Sequence, residues 1–103
     1  VTATGTQTTF APVDRNGNFL SNIVVWQDAR GTEMFPWMRR RLALHGLTEA
    51  ELYRRTFHPM DVLLAGAKLL WLREHAPALY ERIYKLVNPQ SILLKAFGAE
   101  LRA

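Results

Sequence analysis

The sequence predicts an α/β fold in which a β-hairpin is followed by about five helices. Two short apolar runs, 8–13 and 22–25, are rich in β-branched residues and flank a polar stretch that contains the pair Asn16-Gly17. This pair tolerates positive φ in a tight turn, so the two runs are predicted to be the strands of a hairpin. Later in the chain the apolar residues recur at helical spacing. We therefore divide the chain into strands and hairpin at 1–28 and a helical part at 29–103.

The first two helices of the helical part have recognisable ends. Apolar residues recur over 33–45, and Gly46 supplies a stop after them. Thr48 and Glu51 have the spacing of a capping box, which predicts that a second helix begins there. Pro59 ends this second helix, because the residue before a proline avoids the helical conformation.

Three more helices complete the predicted fold. A third carries one apolar stripe over 63–71, and Pro77 occupies the first turn of a fourth. We expect the apolar face of the fourth helix to continue through Ile83 and Leu86. A fifth helix is predicted over 91–97.

The composition limits the class of protein. With 103 residues, of which 49% are hydrophobic, the chain is long enough for one domain with a core. Two strands alone make a poor sheet, so we expect further strands to come from other parts of a longer chain. The sequence contains no cysteine, and no apolar run approaches the roughly 20 residues that a membrane-spanning helix needs. We therefore expect a cytoplasmic protein with no membrane partner.

A polar cluster closes the second predicted strand. The run Trp26-Gln27-Asp28-Ala29-Arg30 brings an aromatic ring, an amide, an acid and a base directly after the apolar residues 22–25. A buried strand has this appearance when its end opens on a polar ligand, and pockets are common at strand ends. The pattern therefore predicts a binding pocket near Trp26.

Three stretches of the sequence resemble the FGGY carbohydrate kinases. The first is Thr4-Gly5-Thr6-Gln7-Thr8, followed by the hairpin and by residues 25–30. The second, 68–75, has the Lys-aliphatic-x-Trp-aliphatic order of the latter half of a family signature. Upstream of it the chain departs from that signature, because Leu63 and Ala65 stand where the family has an aromatic or small residue and then Pro, Ser or Thr. The third runs over 87–100. Order and spacing agree over nearly the whole chain.

The resemblance implies that residues 1–103 are an internal segment of the N-terminal domain of such a kinase, with an actin-like, ribonuclease H-like fold. The complete enzyme would use ATP and magnesium to phosphorylate a hydroxyl group of a ketose or polyol, in the manner of a xylulokinase. The glycines here are scattered singly, without a phosphate cradle. We therefore expect this segment to bind neither ATP nor magnesium and to be inactive alone. Its expected partners are a sugar or polyol and the remainder of the kinase chain.

The resemblance also assigns roles to five residues. It implies that Gln7 and Thr8 bind sugar hydroxyl groups, since an amide and a hydroxyl can each donate and accept a hydrogen bond. Trp26 would be an apolar platform against the carbon chain, and Asp28 and Arg30 would be polar groups in the pocket or bracing it. Related kinases carry Met-His or Arg-Glu where this chain has the neutral pair Gln7-Thr8. We therefore expect neutral polyols or ketoses to be preferred over sugar acids, unless Arg30 reaches the ligand.

Simpler structural roles remain open for several of these residues. Trp26 and Trp71 are each compatible with a place in the core. Asp28 and Arg30, two apart on a strand, share a face and could form no more than a surface ion pair worth ~0–1 kcal/mol. Lys68 lies among apolar neighbours, either as a lysine that extends to the surface or as one tied to a carboxylate.

Two other classes of function also remain open. Arg39-Arg40-Arg41 and Arg54-Arg55, with a formal net charge of +4, permit a basic nucleic-acid-binding module. Three consecutive arginines on a helix spread around its circumference, however, because successive residues are about 100° apart. A solvated helix face explains them equally well, and we expect no nucleic-acid partner. The second alternative is a non-catalytic helical interaction module, and a homodimer is a further open possibility.

Overall fold

The computed structural model of the protein describes residue 5 and residues 8–99. Within these residues, two strands and five α-helices agree with the predicted α/β class. In chain order the elements are β1 (Ala11–Val13), a 3-10 helix (Arg30–Met34), α1 (Phe35–Leu44), α2 (Glu49–Thr56), α3 (Ala65–His75), α4 (Pro77–Arg82), β2 (Lys85–Val87) and α5 (Pro89–Ala96). None of the helices in the described part of the chain is long and apolar enough to span a membrane.

The sheet pairs two segments from opposite ends of the described chain. Strand β1 runs antiparallel to β2, with Ala11 opposite Val87 and Val13 opposite Lys85. The Tyr84 N–H, just before β2, adds a hydrogen bond of 2.8 Å to the Val13 carbonyl. Strand β2 therefore lies within the part that the sequence predicted to be helical.

The prediction that the fourth helix extends through Leu86 is wrong. Helix α4 ends at Arg82, because Ile83 leaves the helical conformation with φ −65° and ψ 117°. The backbone groups that follow are then available for the ladder with β1, and Leu86 lies opposite Pro12. Pairing with a distant strand thus overrides the local apolar spacing.

The predicted strand over 22–25 is wrong as a regular strand. This segment is bridged to the neighbourhood of β1 by Phe10 and Val24, whose backbone groups exchange hydrogen bonds of 3.0 and 2.7 Å. The Pro12 carbonyl accepts from the Leu20 N–H at 3.0 Å, but proline has no N–H to donate in return. The two arms of the hairpin therefore lie side by side, and their ladder is interrupted.

The turn of the hairpin has the predicted position. Gly17 adopts φ +80°, which a residue without a Cβ atom reaches at little cost. The Asp14 carboxylate accepts from the backbone N–H groups of Asn16 and Asn18 at 2.8 and 3.0 Å. These local hydrogen bonds close the turn independently of the rest of the fold.

The ends of α1, α2 and α5 follow from local chemistry. The Thr48 side chain accepts from the Glu51 N–H, and the Glu51 carboxylate accepts from the Thr48 N–H at 3.0 Å, so the predicted capping box is confirmed. Gly46, after α1, adopts φ +67°. The Asn88 side chain accepts from the Ser91 N–H at 2.8 Å, and α5 consequently begins two residues before the predicted start.

The core forms on both faces of β1. Alternate residues of a strand point to opposite faces, so neighbouring residues of this region enter different clusters. The cluster that includes α3 consists of Phe10, Val24 and Leu72, and the opposite cluster consists of Ala11, Val13 and Val87. Helices α1 and α2 contribute no buried residue. The segment 8–26 is thus fixed against α3 on one side and β2 on the other.

A glycine allows the 3-10 helix to approach α3 closely. A Cβ atom added to Gly31 would lie 2.7 Å from the Lys68 nitrogen and 2.8 Å from the Ala67 carbonyl carbon. Both are backbone atoms, which cannot move without shifting the helix. The distance between the two elements is therefore set by the absence of a side chain at Gly31.

We expect Gly31→Ala to lower the free energy of unfolding by roughly 1–3 kcal/mol, because the new methyl group forces the two backbones apart. Gly66→Ala is the matched control: Gly66 lies in α3, and its added Cβ would meet no atom within 4 Å. The control should be neutral or more stable by up to about 1 kcal/mol. Thermal denaturation of both variants checks the prediction. Equal melting temperatures for the two variants would contradict it.

Candidate functional site

A groove of about 580 Å³ opens between the hairpin region and the segment before α3. Thr8 and Trp26 line it from the hairpin region. The residues from the second segment are Phe57, His58, Pro59, Asp61, Leu63 and Leu64. This volume is within the range of small-molecule sites. The groove combines an aromatic ring and apolar side chains with a hydroxyl, an imidazole and a carboxylate.

Trp26 presents a half-exposed ring from a fixed backbone. The residue remains 43% exposed, so it is not a core residue in this structure. The Trp26 N–H donates to the Thr9 hydroxyl oxygen at 3.1 Å, and Thr9 itself is buried. The predicted pocket near Trp26 is therefore present as a groove.

Lys68 contacts the backbone at Val25 and Trp26. Neither of the two positions that the sequence suggested for it is found. The residue is only 1% exposed, and its Nζ donates to the carbonyls of Val25 and Trp26 at 2.9 Å each. It thus contacts backbone oxygens directly, instead of reaching the surface or a carboxylate. Burial lowers the pKa of Lys68, while the charge of Asp28 acts in the opposite direction.

Asp28 and Arg30 form the ion pair that their spacing permits. The Arg30 Nη2 lies 2.8 Å from Asp28 Oδ2, and its Nε donates to Oδ1 at 2.9 Å. The Arg30 backbone N–H also donates to Asp28 Oδ1 at 3.0 Å. The guanidinium lies 5.0 Å from the ring centroid of Trp71. The pair closes the turn after Trp26, and neither residue belongs to the groove lining among the described residues.

The structure thus brings together two of the five predicted site residues. Thr8 and Trp26 line one groove, although 17 residues separate them. Asp28 and Arg30 contact each other in the turn that follows Trp26, outside the groove lining. Gln7 lies outside the described residues, and its role stays a prediction.

Sequence reasoning missed the segment that supplies the second wall of the groove. Phe57 ends α2 with φ +57°, and the Asp61 carboxylate accepts from the Leu63 N–H at 2.9 Å. The sequence of this irregular segment has no periodic pattern that would mark particular residues as functional. His58 looks like an ordinary histidine in the sequence. The available signal was the Pro59 break, which places two ionisable residues in a loop directly before the signature-like helix.

Trp71 packs against the α3-side core cluster, as the structural alternative predicted. Its Nε1 donates to Glu33 Oε2 at 2.8 Å, and its ring stacks on His75 with centroids 4.3 Å apart. These contacts fasten α3 to the 3-10 helix. Trp71 therefore supports the backbone near the groove without lining it.

The arginines of α1 have separate contacts. Arg39 forms an ion pair with Glu49, and the Arg41 guanidinium lies 5.7 Å from the ring centroid of Trp37. The Glu49 carboxylate offsets the charge of Arg39, whereas the Trp37 ring leaves the charge of Arg41 in place. The ion pair is compatible with the solvated helix face that the sequence analysis expected.

The groove suits a small polyhydroxylated molecule. An aromatic ring can cover the apolar C–H side of such a molecule, while hydroxyl, imidazole and carboxylate groups accept or donate hydrogen bonds to its OH groups. Within the described residues no group of three or more His, Cys, Asp or Glu is arranged to hold a metal ion. The ring and the polar groups of the groove can recognise such a molecule and orient it.

Comparisons with known proteins point to one family. The model for the N-terminal domain of the FGGY family of carbohydrate kinases matches residues 1–100. A xylulose kinase from Staphylococcus xylosus is 26% identical over 85 residues, which cover 80% of this chain and 16% of that relative. The chain thus spans less than a fifth of the length of the relative it matches. No solved structure matches the chain.

The Asp28–Arg30 pair predicts a stability that depends on pH. Burial acts to raise the pKa of Asp28, but the hydrogen bonds and charge of Arg30 outweigh it and hold the pKa below its ordinary value of 3.8. The stabilisation is therefore complete above pH 3.8 and is lost as the pH falls through the lowered pKa.

We expect the difference in melting temperature between the wild type and Asp28→Asn to be largest near neutral pH and to shrink below pH 3.8. Arg30→Gln removes the groups that lower the pKa, so its difference from the wild type should shrink in the same range. Thermal denaturation between neutral pH and the acid limit of folding checks both variants. Differences that stay constant with pH would show that the pair contributes no ionic stabilisation.

Proposed function

The chain belongs to the FGGY family of carbohydrate kinases, N-terminal domain, and on that premise we propose that it supplies the sugar-binding groove of an ATP-dependent kinase. The substrate is a ketose or polyol, one hydroxyl group of which is phosphorylated. One observation carries the proposal. Thr8 and Trp26, which stand on either side of the hairpin in one family-like stretch of the sequence, line the same groove.

Trp26 is the apolar platform of this groove. Trp26 is half-exposed in a groove that Leu63 also lines, and it offers the apolar surface on which the carbon chain of a sugar packs. Thr8 supplies a hydroxyl that can donate to one sugar OH and accept from another. Gln7, the next residue toward the N-terminus, adds an amide with the same dual capacity.

Asp28 and Arg30 brace the groove and do not form its surface. Their bidentate contact fixes the turn that follows Trp26, and Arg30 extends over Trp71. A guanidinium already engaged in this way is a poor ligand for a substrate carboxylate. Bracing is therefore the role that the contacts of this pair favour.

The charge of the groove favours a neutral substrate. Among its described lining residues none is lysine or arginine, and Asp61 carries a carboxylate. A sugar acid would bring a second negative charge to this surface without a cation to meet it. A ketose such as the substrate in the name of the xylulose kinase relative fits this charge better than an aldonic acid.

ATP and magnesium belong to the complete kinase in this proposal, and they are held outside the present segment. The glycines of this chain are scattered singly and do not form a glycine-rich phosphate cradle in the sequence. ATP supplies the phosphoryl group, and the residues of this chain bind and orient the sugar that receives it. The two strands are then part of an actin-like sheet completed by the remainder of a cytoplasmic kinase.

Trp26→Ala in the complete kinase should raise the KM for the sugar roughly tenfold to a hundredfold, because it removes the apolar platform. The KM for ATP should change little. Trp37→Ala is the matched control, since Trp37 lies on α1 against Arg41 and away from the groove. Steady-state kinetics with each substrate varied in turn checks the split. Equal losses for sugar and ATP would assign Trp26 a structural role only.

Thr8→Val should lower kcat/KM for the best neutral sugar about tenfold to a hundredfold, since losing a buried hydrogen-bond partner costs about 1–3 kcal/mol. Valine keeps the branched shape at a position with φ +52°, so the backbone strain is the same in both proteins. An unchanged kcat/KM would remove Thr8 from the site. A preference of the wild type for an aldonic acid would contradict the proposed neutral specificity.

A further inference from the structure

Among the described residues, Lys68 is the only lysine that is almost completely buried. Burying an ammonium costs free energy unless its hydrogen bonds are satisfied. Here the bonds go to the carbonyls of Val25 and Trp26, which lie 43 and 42 residues away in the sequence. A long apolar side chain could fill the same space without that cost. The function of the charged group therefore lies in the backbone that its hydrogen bonds hold in place.

Those hydrogen bonds hold the two peptide groups on either side of the Trp26 Cα atom. The Val25 carbonyl belongs to the peptide plane before Trp26, and the Trp26 carbonyl belongs to the plane after it. Because each peptide group is planar, fixing both planes fixes φ and ψ of the residue between them and the direction of its Cα–Cβ bond. The Thr9 hydroxyl, which accepts from the Trp26 N–H at 3.1 Å, fixes the first plane a second time.

The Trp26 ring needs this anchoring because packing alone does not hold it. Trp26 is 43% exposed, and it lines an open groove. An exposed ring on a loose backbone would lose conformational entropy on binding a ligand, whereas an anchored ring has lost it already. Asp61, on the other wall of the groove, also favours the charged form of Lys68.

We infer that Lys68 is a positioning residue for sugar binding, which acts without touching the sugar by fixing the backbone that presents the Trp26 ring. The inference rests on the proposed function of Trp26 as the platform. It predicts that the effect of Lys68 on sugar affinity passes through the ring. A purely structural lysine would change stability and leave the affinity of the folded enzyme unaltered.

The test is a double-mutant cycle between Lys68→Met and Trp26→Ala in the complete kinase, with the KM for sugar and ATP measured well below each melting temperature. Lys68→Met should raise the sugar KM roughly tenfold to a hundredfold and leave the KM for ATP within about twofold. In the Trp26→Ala background the same substitution should change the sugar KM less than about twofold, because the ring on which it acts is gone.

Two further variants separate positioning from stability. Leu72→Ala removes a buried side chain of α3 that lies in the core, and it should lower the melting temperature without raising the sugar KM. Thr9→Val removes the other anchor of Trp26 and should raise the sugar KM in the same direction as Lys68→Met. If Lys68→Met does not fold, the cycle is carried out with Thr9→Val instead.

The outcomes distinguish the two proposals. If Trp26→Ala leaves the sugar KM unchanged, the platform role fails and the inference fails with it. If Trp26→Ala raises the sugar KM but Lys68→Met and Thr9→Val do not, the positioning role alone is overturned. The same conclusion follows if Lys68→Met or Thr9→Val raises the sugar KM by the same factor in the wild type and in the Trp26→Ala variant. A sugar KM that rises with Leu72→Ala as much as with Lys68→Met would also overturn it.

Discussion

The close contact between α3 and the segment 25–34 is the constraint on which the described structure depends. Two neighbouring residues of α3 take part in it, because the backbone at Ala67 and Lys68 meets Gly31 while the Lys68 side chain reaches the Val25 and Trp26 carbonyls. One contact thus sets both the distance between the elements and the conformation of the turn. The groove lies next to this contact, because Trp26 is one of its lining residues.

Features of the fold that depend on local chemistry could be predicted from the sequence. The positive φ of Gly17 and the capping box of Thr48 involve residues within a few positions of each other. Strand β2 could not be predicted, because its partner β1 is far away in the chain and the apolar spacing up to Leu86 resembles a helix. The interrupted hairpin has a cause visible in the sequence, Pro12, whose effect depends on which side of β1 its carbonyl faces.

The candidate site shows the same division. Residues near a recognisable motif, such as Thr8 and Trp26, were predicted, and the structure places both in one groove. His58 and Asp61 were missed because a loop has no periodic pattern of apolar residues. Their place in the groove depends on Thr8 and Trp26 on the opposite wall, which the loop sequence does not reveal. Lys68 was recognised as unusual among apolar neighbours, but its partners are backbone carbonyls, which every residue possesses and no sequence pattern marks.

The pairing of β1 with β2 has a consequence for the order of folding. The helices between the two strands close through short loops, whereas the two strands must meet across most of the described chain, and long loops cost more entropy to close. Helical segments can therefore form early, and the sheet must wait for them to bring its strands together. The groove also depends on a distant contact, between Lys68 and the Trp26 carbonyl 42 residues away, so it too forms only after separate parts of the chain have met.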